Sequence, residues 1–218
     1  MNILIDPHPL LDPVVLHTVW PCALSAAPPL PGLDHWFSDS ATPPMDRPDT
    51  IKPTIRDLLR HGGFKPSGRS KPASEYLVSA AAKGKMGSIN AAVDCCNVAS
   101  LHSGLPISVV DLERGCGPWR LGLAPPETSY VFNPSGQEIN ISGLISLWDS
   151  AGPCGGPVKD SQRTKTHPGT TTTLSVIWGS LAIDGRSMAT AQWYSALMSS
   201  LGATVTPVRP AEPSDHRG

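Results

Sequence analysis

Five side chains that can carry charge or move a proton fall within the stretch VKDSQRTKTH, from Val158 to His167. Hydrolysis of an ester needs a positioned water or nucleophile, a donor for the developing oxyanion, and cations for any phosphate groups. The stretch holds residue types for each of these tasks. The candidate catalytic residues are therefore Lys159, Asp160, Arg163, Lys165 and His167. The alternative interpretation is a solvated charged turn between two strands.

A second polar set recurs along a predicted helix, SINAAVDCCNVASLHSGLP, where Asn90, Asp94 and Asn97 follow one another at spacings of four and three. Residues at these spacings share one face of a helix. Short amides and carboxylates are poor helix formers on a solvent face, so we expect this stripe to face other polar groups. Together with Asp149, at a strand end before a glycine turn, they are candidate substrate-binding residues. Hydrogen bonding that only fixes the fold is the alternative.

Basic residues cluster earlier in the chain. Between Lys52 and Lys71, six basic residues stand against Asp57 alone, a local balance of +5 in a chain whose net charge is −1. The whole molecule would not attract nucleic acid, but one face could bind phosphates. The candidate nucleic-acid-binding residues are Arg56, Arg60, Lys65, Arg69 and Lys71. A solvated charged face is the alternative.

Several function classes lose their sequence support. The five cysteines form no CxxC pair, and neither zinc spacing nor a disulfide framework is evident. Glycine-rich nucleotide loops, HExxH, GxSxG and EF-hand patterns are missing, so we predict no metal and no cofactor. Cys95 and Cys96 point about 100° apart on a helix, which favours packing over a nucleophilic role. Without a signal-peptide pattern or a long apolar run, the sequence predicts a cytoplasmic protein without membrane contact.

The elements that must position these residues are short. The chain is 39% apolar and contains 24 Pro and 20 Gly, a composition that predicts many turns. Helices are predicted early, at DTIKPTIRDLLRHGG, from Pro72 to about Lys83, and around Asn90, where Ile89, Val93, Cys96 and Ser100 would form a core stripe. Strands dominate from Pro106 onward, and one last helix is predicted from Ser187 to Leu201. The order predicts an α+β fold, with a mixed or antiparallel sheet covered by helices.

We predict one domain spanning residues 1–218. Seven prolines fall between Pro21 and Thr50, so residues from about 21 to 50 are expected to form an irregular arm. A flexible tail is expected from about 208 to 218.

The segment INAAVDCCNVASLHSGLPISVVDLE resembles the B3/B4 domain of the phenylalanyl-tRNA synthetase beta chain. Two further segments, IRDLLRHGGFKPSGRSKPASEYL and GGPVKDSQRTKTH…LSVIWG, are similar to freestanding relatives of that domain. The resemblance covers about residues 52 to 201. It implies an α+β fold with a β-sandwich-like sheet and, from the bacterial synthetase, removal of a wrongly attached amino acid from tRNA.

The resemblance therefore implies tRNA or aminoacyl-tRNA as partner, and hydrolysis of mischarged aminoacyl-tRNA in trans as activity. A tRNA or amino-acid binding module without deacylase activity is the second hypothesis, and a protein-interaction domain that uses the Pro-rich arm is the third. Ser108 stands where the synthetase has a histidine linked to editing, and TLSVIWGS offers no glutamate for substrate contact. Any chemistry must use other groups. Nothing resembles the aminoacylation core, so ligase activity is not predicted.

Overall fold

The computed structural model describes residues 1–38 and 40–211 of the chain. Within these residues the α-helices are, in chain order, α1 (Leu33–Trp36), α2 (Ile51–Arg60), α3 (Ala73–Ala81), α4 (Ala91–Ser103) and α5 (Arg186–Ser200). The strands of the same residues are β1 (Asn2–Ile5), β2 (Leu11–Val19), β3 (Ile107–Asp111), β4 (Trp119–Leu123), β5 (Ser129–Val131), β6 (Glu138–Asn140), β7 (Ile145–Asp149), β8 (Gly152–Gly155), β9 (Thr172–Ser180), β10 (Thr204–Pro207) and β11 (Arg209–Pro210). Among the described residues, none of the helices combines the length and the apolarity needed to cross a bilayer.

Most strands belong to two sheets. The first is mixed, with the order β11-β1-β4-β7-β8, and β1 runs parallel to both of its neighbours. The second is antiparallel, with the order β10-β2-β9-β3, and β5 and β6 form a separate hairpin. Helix α4 packs on α5 and β3, and α5 also packs on β2 and β9. The predicted α+β class, with mixed and antiparallel sheets packed against helices, is confirmed.

Strand β9 lies at the centre of the second sheet. It pairs along its whole length with β2 and, on its other side, with β3. Every residue of β9 after Thr172 is buried. A strand that is buried on both faces needs apolar or small residues at successive positions, as LSVIWGS provides. The strand thereby fixes the end of the charged loop that precedes it.

Helix α2 forms as predicted. Its side chains Ile51, Ile55, Leu58 and Leu59 are buried on one face. The helix is followed by Gly63, whose φ of 93° lies in the left-handed region that favours glycine. The chain turns here toward the loop between α2 and α3, which carries Lys65, Arg69 and Lys71 and which we call the basic loop.

The core stripe predicted for the third helix is wrong at its first position. Ile89 is 68% exposed, because α4 begins only at Ala91 with Asn90 as its N-cap. The helix is also buried around most of its circumference, not along a narrow stripe. Its buried residues are Ala91, Ala92, Asp94, Cys95, Cys96, Val98, Ala99, Ser100, Leu101 and Ser103.

The predicted irregular arm, at about 21–50, and the predicted tail, from about 208, both contain residues that contact the rest of the fold. In the Pro-rich segment, Leu24, Leu30 and Phe37 are buried in the core. Near the other end, Arg209–Pro210 pairs in parallel with Asn2–Ile3, because β1 offers a free edge there. Residues 209 and 210 of the predicted tail therefore lie in a strand, and residues 212–218 lie outside the described part of the chain.

Candidate functional site

The loop between β8 and β9 carries the predicted catalytic residues and is tied to the sheet. The hydroxyl of Thr164 donates to the carbonyl of Cys154 at 2.9 Å, and the hydroxyl of Tyr130 donates to the carbonyl of Lys159. Thr164 is fully buried, and it lies in a 3₁₀ helix formed by Gln162–Thr164. These contacts hold the loop against β5 and β8. The alternative of a solvated turn does not describe this loop.

Asp160 is the half-buried carboxylate of the loop. It accepts hydrogen bonds from the backbone N–H groups of Gly156 at 3.1 Å and Val109 at 3.3 Å. Burial raises the pKa of Asp160 to about 6, although its hydrogen bonds and the charge of Lys165 act in the opposite direction. A carboxyl group that titrates near neutral pH is a candidate general base.

Ser108 stands next to Asp160 and has a structural role in this chain. Its hydroxyl accepts a hydrogen bond from the indole N–H of Trp178 at 2.9 Å and donates to the carbonyl of Gly156 at 3.1 Å. Both Ser108 and Trp178 are fully buried. A Cβ added to Gly155 would lie 3.1 Å from Asp160 Oδ1, so the packing beside the carboxylate is tight. The indole of Trp178 therefore lies against Ser108 in the core.

The charge of Lys165 acts on Asp160, and the charges of Arg69 and Lys165 act on Lys159, so we call Arg69, Lys159 and Lys165 the cationic cluster. The ammonium of Lys159 lies 3.7 Å from the centroid of the Phe132 ring, and that of Lys165 donates to the carbonyl of Phe132 at 2.6 Å. Burial and the positive charges of Arg69 and Lys165 lower the pKa of Lys159. Burial also lowers the pKa of Lys165. An anion would relieve the repulsion that Arg69 and Lys165 exert on Lys159.

The basic loop reaches the cationic cluster through a backbone contact. The N–H of Ala73 donates to the carbonyl of Pro157 at 2.8 Å, which places the residues before α3 against the start of the charged loop. Arg114 adds a further cation nearby, because its guanidinium donates to the carbonyl of Lys165 at 3.4 Å. Of the predicted nucleic-acid-binding residues, Arg69 therefore lies close to a predicted catalytic residue, Lys159.

Arg163 and Asp149, predicted as catalytic and substrate-binding residues, bind each other. Both guanidinium N–H groups donate to the carboxylate at 2.8 Å. Asp149, whose side chain is fully buried, also accepts the N–H groups of Cys116 and Ala151 at 3.1 and 2.9 Å. Burial alone would raise the pKa of Asp149, but the hydrogen bonds and charge of Arg163 and the backbone N–H groups lower it below its ordinary value. The pair joins the β7–β8 turn to the loop and leaves neither charge free for a substrate.

His167 is also engaged within the loop. Its Nδ1 accepts from the N–H of Gly169 at 3.1 Å, so the neutral ring carries its proton on Nε2, which lies 3.2 Å from a carboxylate oxygen of Asp111. That buried carboxylate also accepts from the hydroxyl of Thr170 at 2.6 Å. Both ring nitrogens thus fix the end of the loop, and His167 is not poised to act on a substrate.

The polar residues of α4 mainly hold the start of the helix. Asn90 accepts from the N–H of Val93 at 3.0 Å as N-cap, and its amide donates to Thr166 at 3.1 Å. Asp94 is buried and accepts from the hydroxyl of Ser88 at 2.6 Å and from the N–H of Ile89 at 2.8 Å. Asn97 is half-buried on the same helix. For Asn90 and Asp94, the interpretation as fold-fixing hydrogen bonds is the one that the contacts support.

The predicted nucleic-acid-binding residues divide into paired and unpaired charges. Arg56 binds the carboxylate of Glu75 with two hydrogen bonds, at 2.6 and 2.7 Å, and Arg60 binds Asp57 at 2.7 Å. The local balance of +5 overlooked Glu75, which lies just beyond the counted segment. The remaining cations of the set are Lys65 and Arg69, both exposed, and Lys71, whose ammonium lies 4.6 Å from the centroid of the Tyr76 ring.

The adjacent cysteines of α4 behave as packing residues. Both Cys95 and Cys96 are buried, and burial raises the pKa of Cys95 to about 12 and that of Cys96 well above its ordinary value. Because the thiolate is the reactive form, neither is a nucleophile at neutral pH.

Sequence reasoning missed the aromatic residues of the site. Tyr130 and Phe132 come from the β5–β6 hairpin segment and Trp178 from β9, both of which the sequence predicts only as part of the strand-rich region after Pro106. The aromatic pair in TSYVFNP, two residues apart on one face of a strand, was the available signal. Their contacts to Lys159 and Lys165 depend on how the hairpin packs, which local patterns do not specify.

Comparison with known proteins identifies a similar fold. The sequence matches no protein-family model and no curated protein. Among solved structures, the chain is similar to an N-terminal fragment of the phenylalanyl-tRNA synthetase beta-subunit from Pyrococcus horikoshii, with a TM-score of 0.52 and 10% sequence identity. The match covers 96% of this chain and 51% of that fragment, so this chain spans about half of its length. At this identity, the similarity shows the fold alone.

Proposed function

We propose that the protein binds tRNA through the cationic cluster and holds the aminoacylated 3′ end beside Asp160. The observation that carries this proposal is the packing of Lys159 and Lys165 around Phe132, with Arg69 close enough to lower the pKa of Lys159. A bound phosphate would offset the repulsion that Arg69 and Lys165 exert on Lys159. Phosphate contacts of this kind position a nucleic acid without reading its sequence.

Two further observations support a tRNA ligand. The fold is similar to that of a fragment from a tRNA synthetase subunit. The ring of Phe132, against which Lys159 packs, lies beside the cluster. Aromatic side chains stack on the bases of single-stranded nucleic acid, such as the unpaired 3′ end of a tRNA. Because Arg163, His167 and Asp149 are engaged within the protein, binding is the function that the geometry supports best.

Removal of the cationic cluster is expected to weaken tRNA binding more than removal of the paired arginines. For the triple variant Arg69→Ala/Lys159→Ala/Lys165→Ala, we expect the slope of log K against log salt to fall in magnitude by about 2, since each single-strand phosphate contact contributes about 0.7. The measurement is fluorescence anisotropy of labelled tRNA with the full chain across a salt series.

The matched control is Arg56→Ala/Arg60→Ala, which removes two cations that already have carboxylate partners. Its salt slope should stay near that of the unmodified chain. Equal slopes for the triple variant and the unmodified chain would contradict the proposed surface, and no binding to charged or uncharged tRNA would contradict the function.

Hydrolysis of the aminoacyl ester is the second candidate function, and the raised pKa of Asp160 is the observation that favours it. In this scheme the carboxylate of Asp160 takes a proton from water as the water oxygen attacks the ester carbonyl. Lys159 or Lys165 stabilises the negative charge on the carbonyl oxygen. The bond from the carbonyl carbon to the ribose oxygen then breaks, and Asp160 returns the proton to that oxygen.

Such hydrolysis should increase as the pH rises through about 6, because only the ionised form of Asp160 can accept a proton. Asp160→Asn should lower the rate by about a hundredfold or more, since general bases contribute 10²–10⁴-fold. The assay follows loss of the ester from a panel of correctly and wrongly charged tRNAs at several pH values. The raised pKa of Asp160 also makes the folded state lose stability as the pH rises from about 4 to 6. Thermal unfolding of the unmodified chain and of Asp160→Asn at each pH is therefore the control. A pH-independent rate, or full activity in Asp160→Asn, would rule out this base.

A further inference from the structure

A cleft of about 410 Å³ lies between α2 and α3 and takes no part in the function proposed above. Its lining comes from three segments, at 47–55, 71–82 and 104. Ile51 and Ile55 are 2% and 1% exposed and form its apolar floor, with the half-buried Val78 beside them. This volume falls within the range of about 300–1,000 Å³ that is typical of small-molecule sites.

Charged side chains surround the aliphatic floor, and cations outnumber the free carboxylates. Glu75 is already neutralised by the two hydrogen bonds from Arg56, and Lys52 lies 3.9 Å from it with 61% of its side chain exposed. Lys52 is thus available to a ligand. The cations that line the cleft are Arg47, Lys52 and Lys71, against Asp49 and the neutralised Glu75.

The position of Arg47 at the cleft is fixed by the backbone. Gly104 ends α4 with a φ of 74°, and a Cβ there would lie 2.9 Å from the Ile51 side chain and 3.2 Å from that of Arg47. Glycine therefore allows both side chains to pack against the end of the helix. The guanidinium of Arg47 also donates to the carbonyl of Leu101. One side of the cleft is built by tight packing, so it is preorganised for a ligand.

We propose that this cleft binds a small organic anion with an aliphatic tail. The tail lies on Ile51, Ile55 and Val78, and the carboxylate or phosphate group is bound by Lys52 and Lys71. An aliphatic floor with cations at its border matches such an amphipathic anion, because the apolar part is removed from water while the charge keeps partly solvated partners.

The test is titration of the ¹⁵N-labelled full chain with four probes that share one six-carbon tail: heptanoate, hexyl phosphate, 1-hexanol and hexylamine. We expect saturable shifts of amide signals from α2 and α3 with heptanoate or hexyl phosphate, and the tighter of the two identifies the anionic group. Absence of saturable shifts with both anions would overturn the proposal. Equal binding of 1-hexanol or hexylamine would overturn the assignment of an anion.

Two variants locate the ligand. Lys52→Ala should weaken binding about tenfold, as expected for loss of a charge-assisted hydrogen bond, and Val78→Phe should fill the cleft and abolish the shifts. Lys83→Ala is the matched control, because Lys83 is exposed beyond the end of α3 and does not line the cleft. Lys52 is exposed, so this variant keeps the fold even if Val78→Phe does not. Unchanged affinity in Lys52→Ala, or an equal loss in Lys83→Ala, would place the ligand elsewhere.

Discussion

Replacing Trp178 with alanine is expected to lower the free energy of unfolding by about 3–5 kcal/mol, the range for deleting a buried aromatic side chain. Trp178 is fully buried in the central strand β9, and its indole N–H satisfies the hydroxyl of Ser108. The deletion leaves a cavity beside Asp160 and removes this hydrogen bond. Urea denaturation of the variant and the unmodified chain measures the difference.

Trp178→Phe separates the two contributions. Phenylalanine keeps most of the apolar volume but offers no N–H to Ser108, whose hydroxyl still donates to Gly156, so we expect a loss of about 1–2 kcal/mol from the one lost hydrogen bond and the smaller ring. Equal stability of Trp178→Ala and the unmodified chain would show that the indole does not fill the space beside Asp160.

Arg163→Met should lower the free energy of unfolding by about 2–3 kcal/mol, because it leaves the buried carboxylate of Asp149 without its cation. The value stands below the full cost of breaking a buried pair, since the Arg163 side chain is 36% exposed and solvent screens part of its charge. The methionine keeps the aliphatic length of the arginine. Chemical denaturation at neutral pH measures the loss.

Arg60→Met is the matched control for this prediction. Its partner Asp57 lies three residues earlier on α2, both side chains are more than half exposed, and we expect a change within about 0.5 kcal/mol. The dependence on pH supplies a second check. Because the pKa of Asp149 is lowered, the stabilisation is present above the ordinary carboxyl pKa and is lost as the pH falls through the lower value of the folded state. Arg163→Met should reduce that acid sensitivity, and an unchanged profile would contradict a structural role for the pair.

Local patterns predicted the elements of the fold better than their arrangement. The apolar run predicts strand β9, and the glycines after Arg60 predict the end of α2. Both signals depend on the conformation and burial of a few neighbouring residues, so the sequence was enough to locate these two elements. The parallel pairing of Arg209–Pro210 with Asn2–Ile3 depends on where two distant segments come to lie. No periodicity in either segment specifies that contact.

The candidate site shows the same difference. The sequence predicts a site in the charged loop, but residue types alone could not indicate which charges are already paired. Arg163 and Asp149 are separated by a strand and a turn, and Arg56 meets Glu75 only because α2 and α3 lie side by side. Lys159 and Lys165 lie together because both contact Phe132, which belongs to the β5–β6 hairpin segment. Pairing of charges is a property of tertiary structure, and it separates the paired residues of the loop, Arg163 and His167, from Lys159 and Lys165.

The central place of β9 in the second sheet has a consequence for synthesis of the chain. Its partners β2 and β3 are synthesised long before it. Leu11 cannot pair until Ser180 has been synthesised, and Ile107 cannot pair until Ile177 has been synthesised. Until then both strands present unpaired backbone groups that can associate with other chains. Pairing over such sequence distances also slows folding. We therefore expect the nascent chain to pass through an aggregation-prone stage that ends only when β9 is inserted between its neighbours.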